Sequence, residues 1–185
     1  VIGGALRGRR FSAPRRGVRP TADRVRESLF ALLGDVADAS TLDLYAGSGA
    51  LGIEALSRGA SDVVFVEQSP ASVSVLKRNL AELGLAERSR VLRSDVLRGL
   101  GRLEREQARF DLVLADPPYA AGVLDRLLHE IVETGVLLPG GMLVVERGRR
   151  HPVPPVPGLR LLEHREYGDT VITRYTRDPG GRDER

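Results

Sequence analysis

Between residues 41 and 146, short apolar runs alternate with stretches of helical periodicity, and this rhythm restricts the chain to few folds. The runs are TLDLY at 41–45, SDVVFVE at 61–67, SRVLRS at 89–94, FDLVLA at 110–115 and GMLVVE at 141–146. They read as apolar throughout rather than alternating, as burial on both faces requires. Helical stretches intervene: ALGIEALSRG at 50–59, SPASVSVLKRNLAELG at 69–84 and AGVLDRLLHEIVETG at 121–135. Ser69 is placed to cap the second of these, with Pro70 in its first turn and Gly84 as its stop. The alternation predicts a mostly parallel sheet with helices on both faces. A proline-rich connector, HPVPPVPG at 151–158, ends the rhythm. LRLLEHREY (159–167) and TVITRYT (170–176) then follow, joined through Gly168 and Asp169 with no helix between them. They predict an antiparallel hairpin that completes a seven-stranded sheet.

The start of the chain has a different character. VIGG and RRFSA flank a glycine-rich turn, which predicts a small hairpin over residues 1–12. A loop bounded by Pro14 and Pro20 follows. A helix is expected from an N-cap at Thr21 to a stop at Gly34, with Ala22, Val25, Leu29, Leu32 and Leu33 on one face. The implied organisation is a basic extension over 1–20, a main domain over 21–178 and a frayed tail over 179–185. Of the net charge of +3, residues 1–30 carry eight arginines against two acids, leaving a negative remainder. A positive field gathered at one end steers a polyanion to one face. Arginine identity by itself says little, because Lys77 is the only lysine in the chain. With no cysteine, disulfides and thiolate chemistry are excluded. No apolar run approaches the ~20 residues of a membrane-spanning helix. No leader segment is visible at the start. A cytoplasmic protein is expected. A monomer is the default, since no exposed apolar helix face stands out.

Two segments carry chemistry. The first, DLYAGSGALGIEAL, leaves a strand and opens a helix in the form G-x-G-x-x-G. Gly47 and Gly49 let the backbone turn and approach a ligand closely, while Gly52 permits close packing. Alone, the pattern fits a nicotinamide dinucleotide, a flavin or S-adenosylmethionine. Asp43 inside the strand end favours the last: a carboxylate is a poor neighbour for pyrophosphate and a good one for an α-amino group and a sulfonium. Glu67, ending the next strand, is placed to bond ribose hydroxyls. Asp95 could accept from an adenine amino group, and Val96 could pack on the ring.

The second is DPPY at 116–119. Pro117 and Pro118 stiffen the loop, and Asp116 is biased away from helical geometry by the proline after it. The Asp116 carboxylate and the Pro117 carbonyl are thereby two fixed acceptors, and Tyr119 adds a flat ring. This combination suits a planar group bearing NH₂, either a nucleobase or an amide.

DPPY resembles the N/D-PP-Y/F signature of methyltransferases that modify exocyclic amino groups. DLYAGSGALGIEALSRGA and VEQSP resemble their adenosylmethionine-binding segments. The run IGGALRGRRFSAPRRGVRPTADRVRESLF resembles the bacterial 16S rRNA guanine-N2 methyltransferases of the small ribosomal subunit, and YGDTVITRY resembles their closing strand. The resemblance spans roughly residues 2–176. It implies a Rossmann-like class I methyltransferase fold with a small N-terminal extension, S-adenosylmethionine as cofactor, and a substrate of 16S rRNA already assembled with small-subunit proteins. Asp43, Tyr45, Gly47, Gly49, Glu67, Gln68, Asp95, Val96 and Asp116 would hold the cofactor. Asp116, Pro117 and Tyr119 would form the catalytic pocket. Arg7, Arg9, Arg10, Arg19, Thr21, Arg24, Arg26 and Pro118 would meet RNA.

The expected chemistry is direct transfer to the guanine N2, by positioning and by acceptors that stabilise charge developing on nitrogen. No metal is expected, because His129, His151 and His164 have no ligand spacing. The same acceptors and ring would serve an adenine-N6 or a protein glutamine-N5 methyltransferase. The absence of an obvious large DNA-recognition domain weighs against the DNA adenine case, and the basic start against the glutamine case. A non-catalytic RNA-binding assembly factor and a dehydrogenase are the alternatives from other classes.

Overall fold

The computed structural model describes residues 1–12, 20–150 and 155–179, and excludes the side chains of residues 20–23. Arg15, Arg16, Arg19, His151, the first half of the proline-rich connector and most of the expected tail therefore lie outside it. Seven strands form one sheet in the order β3-β2-β1-β4-β5-β7-β6: β1 Ser40–Leu44, β2 Asp62–Glu67, β3 Ser89–Arg93, β4 Phe110–Ala115, β5 Leu137–Gly148, β6 Leu159–Tyr167 and β7 Thr170–Arg177. The chain divides into two compact units, Val1–Val96 and Leu97–Arg185.

In the first unit, β1, β2 and β3 run parallel, pairing Asp43 with Phe65 and Phe65 with Val91. Leu42, Leu44, Val63, Phe65 and Val66 are buried, so β1 and β2 are apolar on both faces as expected. β3 departs from that expectation. It is one of the sheet's two edge strands, and Arg90 and Arg93 are exposed on it. Charged residues on an edge strand also discourage pairing with another chain. Helix α1 spans Pro20–Leu33, so it starts at the proline and Thr21 lies inside its first turn rather than ahead of it. Proline is suited to that position because it has no N–H to leave unpaired. Val25, Leu29, Phe30, Leu32 and Leu33 are buried, and the Arg58 guanidinium sits 4.9 Å above the Phe30 ring. α2 is Ala50–Ser57 and α3 is Pro70–Glu82. The Ser69 hydroxyl accepts from the Ser72 N–H at 3.3 Å, so the capping expectation holds.

The expected hairpin over residues 1–12 does not form; no strand is present there. The ends still bond across the turn, Gly8 N–H to the Val1 carbonyl and the Val1 amine to the Arg9 carbonyl, but four backbone donors go to α2 instead. The Glu54 carboxylate accepts from the N–H groups of Ile2 (2.8 Å) and Gly3 (2.7 Å), and Ser57 accepts from Ala5 and Leu6. A buried carboxylate outbids a neighbouring strand for these donors because charge-assisted hydrogen bonds are the stronger ones. Gly4 allows the close approach. Its φ is +73°, and a Cβ there would lie 1.8 Å from the Ser57 carbonyl oxygen. At the other end of the segment, the Asn79 side chain accepts from Ser12 N–H and donates to the carbonyls of Ser12 and Ser48.

The second unit begins one residue into a helix not expected from the sequence, α4 at Val96–Arg105, with Leu100 and Leu103 buried. α5 spans Val123–Thr134 and buries Leu127, Leu128 and Ile131. β5 runs parallel to β4 and antiparallel to β7. It starts earlier than expected, at Leu137, because Pro139, Gly140 and Gly141 form an irregularity rather than an end: the register jumps from Phe110–Leu137 to Leu112–Met142. β6 and β7 form the expected antiparallel hairpin, which turns at Gly168 and Asp169. Arg177 is buried and donates to the carbonyls of Gly135 and Leu137, just past the end of α5. Among the described residues, no helix is long and apolar enough to cross a membrane.

Candidate active site

The glycine turn is built by two buried carboxylates. Asp43, 1% exposed, accepts the Gly52 N–H at 2.9 Å and so fixes the first turn of α2 against the end of β1. Glu67 accepts from Gly47 N–H at 2.9 Å through one oxygen and from Ser69 N–H at 2.7 Å through the other. One acid at the end of β2 therefore fastens two consecutive turns. A carboxylate oxygen has two lone pairs, so these bonds leave acceptor capacity for hydroxyl groups. Tyr45 takes a φ of 59°, which is costly for a side-chain-bearing residue and reverses the chain at the end of β1.

The three glycines differ in role. A Cβ on Gly47 would meet nothing closer than its own turn, at 4.0 Å, so the space over this residue is open to a ligand. At Gly49 it would lie 2.4 Å from Leu76, so close packing as well as a φ of +87° explains glycine there. At Gly52 it would lie 2.3 Å from the Phe65 ring, which is the packing role expected from sequence. Gly52→Ala should therefore destabilise the protein by about 1–3 kcal/mol through overpacking. Denaturant midpoints of the two proteins check this, and equal midpoints would refute it. Gln68 and Asp95 are exposed, Asp95 immediately before α4. Val96 is buried at the start of that helix, so its side chain is committed to the core rather than presented as a face for adenine.

The proline loop follows β4. Pro117 is buried, whereas Asp116, Pro118 and Tyr119 are exposed. Pro118 contributes its carbonyl, which accepts from Ala120 N–H at 2.7 Å and tightens the loop. The Tyr119 ring is about half exposed, but its far end is held: the hydroxyl donates to Glu146 at 3.1 Å and lies 3.4 Å from the Thr170 hydroxyl. Crowding by protein, and then the Glu146 charge, push the Asp116 carboxyl up to about 7. Residue 116 as a whole is exposed, so water offsets part of this push; the upward direction is the feature the chemistry uses. Glu146 is itself raised, mainly by burial, against the opposing hydrogen bond from Tyr119. Burial pushes the Tyr119 hydroxyl up to about 12, so it stays a donor at neutral pH. Glu146 and Thr170 were missed from sequence. An acid closing the apolar run GMLVVE, as Glu67 closes SDVVFVE, was the available signal.

The basic residues divide. Arg7, Arg10 and Arg24 are exposed. Arg9 donates to the Glu82 carbonyl at the end of α3, at 2.9 Å. Arg26 turns inward, with Nε 3.9 Å from Glu54 and its side chain 13% exposed. That orientation is a correction: its charge offsets a buried carboxylate rather than facing a phosphate. Arg19 and the side chain of Thr21 fall outside the described residues.

Residues 1–176 match the family model described as Conserved hypothetical protein 95. The chain is 38% identical to the ribosomal RNA small subunit methyltransferase D of Escherichia coli, covering 98% of this chain and 91% of that protein. It is 37% identical to a Bacillus subtilis protein described as an rRNA methyltransferase, over 95% of this chain and 97% of the relative. A solved Escherichia coli structure described as a methyltransferase superimposes with a TM-score of 0.87 at 36% identity, covering 97% of each chain. Matched along nearly its whole length, with a seven-stranded class I methyltransferase sheet to carry the two motifs, the chain belongs to the Conserved hypothetical protein 95 family, together with the small-subunit ribosomal RNA methyltransferases D.

Proposed function

We propose that this protein transfers a methyl group from S-adenosylmethionine to the exocyclic N2 of a guanine in 16S rRNA. The observation that carries the reading is the DPPY loop, with a raised carboxyl and a tethered ring, on a chain of this family. The open space over Gly47 and the spare acceptor capacity of Glu67 fit an adenosyl cofactor. Asp43, Gly47 and Glu67 would hold it, with Asp95 beyond. When bound, it supplies an electrophilic methyl on a positively charged sulfur.

The guanine amino group is a poor nucleophile because its lone pair is delocalised into the ring. Asp116 and the Pro117 carbonyl accept from the NH₂ and orient it, while Tyr119 holds the base by stacking once it leaves its own stack. Formation of the N–C bond would be matched by loss of the cofactor's S–C bond, whose electrons would stay on the departing neutral thioether. The nitrogen becomes positive, and the acceptors stabilise it. The proton it then sheds passes to Asp116, whose raised pKa suits a base working near neutrality, and on to water. The enzyme works in the cytoplasm, where its ribosomal substrate is found.

The exposed arginines of the N-terminal segment grip phosphates. Neutralising Arg7 and Arg10 should lower the slope of log K against log salt by about 0.7 to 0.9 per arginine. Neutralising Arg9, already engaged with α3, should change it less. Equal slopes for all three variants would remove this assignment. The central test supplies methyl-labelled adenosylmethionine and small subunits lacking the modification, then digests the RNA to nucleosides. Label in N2-methylguanosine is expected. Label in adenosine would discard the guanine assignment, and no label on mature or assembling subunits would discard the enzyme.

A further inference from the structure

Glu146 has no role in the chemistry described above, yet its placement is costly. It stands on β5, opposite Ile172 of β7, and burial holds its carboxyl above the usual carboxylate range. The acid Asp116 and the Tyr119 hydroxyl face it from the loop after β4, and Thr170 faces that hydroxyl from β7. Its neighbour Arg147 is aimed the other way. Successive strand residues point to opposite faces, and the Arg147 guanidinium bonds Thr173 at 3.0 Å on the other side of β5. Arg149, two residues on, pairs with Glu166 at 3.2 Å. Among the described residues, the hydrogen bond given to the Glu146 carboxylate comes from Tyr119, at 3.1 Å.

That bond closes a mechanical loop. Tyr119 sits on an exposed turn, where a ring would otherwise sample several rotamers. Its hydroxyl is the atom farthest from the backbone, and the bond attaches it to a central strand. Ring position is then set at both ends, by the stiff proline loop and by the sheet. We propose that Glu146 is a positioning residue for methyl transfer, holding the Tyr119 ring through its hydroxyl so that the target base stacks in a fixed plane. This rests on the reading of Tyr119 as the stacking face.

The test compares Tyr119→Ala, Tyr119→Phe, Glu146→Ala, Glu146→Gln and the double variant Tyr119→Phe/Glu146→Ala, with circular dichroism and adenosylmethionine binding as checks on folding. Tyr119→Phe keeps the ring and loses the tether; Glu146→Ala loses the tether from the other side. Each should lower kcat for rRNA about tenfold, the size of one hydrogen bond to a charged partner. The double variant should lose no more than either single change, because both remove the same bond. Glu146→Gln keeps an acceptor and should recover most of the loss in kcat. Both position-146 variants remove a negative charge near Asp116, so the acid limb of the pH–rate profile should move to lower pH in each. Multiplicative losses in the double variant, or an unchanged kcat in Glu146→Ala beside a large loss in Tyr119→Ala, would overturn the proposal alone. An unaffected Tyr119→Ala would instead sink the stacking reading, and this proposal with it. If Glu146→Ala fails to fold, Tyr119→Phe against Glu146→Gln decides: the proposal requires the first to lose kcat and the second to retain most of it.

Discussion

Asp116→Ala should bind adenosylmethionine as the parent does and lose methyl transfer, by about 10²–10³ in kcat if its role matches that of other preorganised charge-stabilising groups. The parent's rate should fall as pH drops through about 7, where the carboxyl takes up a proton and can no longer accept one. The same shift predicts an opposite effect on stability. A carboxyl raised above its unfolded value contributes stability that is present at low pH and lost as pH rises through the folded pKa. Asp116→Asn removes that penalty. It should melt higher than the parent at pH 8, with the difference shrinking towards pH 4. Calorimetric titration of the cofactor and melting curves at the two pH values check both halves. An equal loss of cofactor affinity would contradict the division of roles, and a lower melting point at pH 8 would contradict the strained carboxyl.

Glu54→Ala should release residues 1–12 from α2. The buried carboxylate holds the N–H groups of Ile2 and Gly3 and the Arg58 side chain at 2.9 Å. Hydrogen bonds to a charged acceptor contribute about 1.5–3 kcal/mol each, so losing two backbone bonds should speed amide exchange at residues 2 and 3 more than about 100-fold. Arg58 and Arg26 lose this partner but are partly exposed and can turn to water, so the rest of the protein should stay folded. RNA affinity should drop with the arm released, because Arg7 and Arg10 are no longer presented in fixed places. Hydrogen exchange and salt-dependent binding read the two effects separately. Unchanged exchange at residues 2 and 3 would show that the segment is held by something other than Glu54.

The legible parts of this fold are those where one local rule decided. Ser69 and Pro70 announce α3, and the continuous apolar runs announce β1, β2 and β4 because both of their faces are covered. What escaped depends on distant partners. The N-terminal hairpin was read from glycines and flanking residues, but four of its donors go to Glu54 and Ser57, some fifty residues away. α4 was hidden because its buried positions, Val96, Leu100 and Leu103, are spaced among arginines and glycines that weaken the periodic signal. In the site, Asp116 and Tyr119 were visible as a motif. Glu146 was not, since only the sheet brings residues 27 apart within hydrogen-bonding distance. Arg26 was misread for a related reason: charge in a basic segment says nothing about which way a side chain turns.

The strand order also bears on how the chain can be made. β7 lies between β5 and β6, although it follows both in sequence. During synthesis β6 therefore emerges with no neighbour to pair with, and β5 waits with one edge bare. Such edges invite association between chains. A polypeptide interrupted between Tyr167 and Thr170 would leave the edges of β5 and β6 open and lose Arg177 from the carbonyls beyond α5. A nearly complete product, stopping just short of the last strand, is thus the one that exposes most unpaired strand edge.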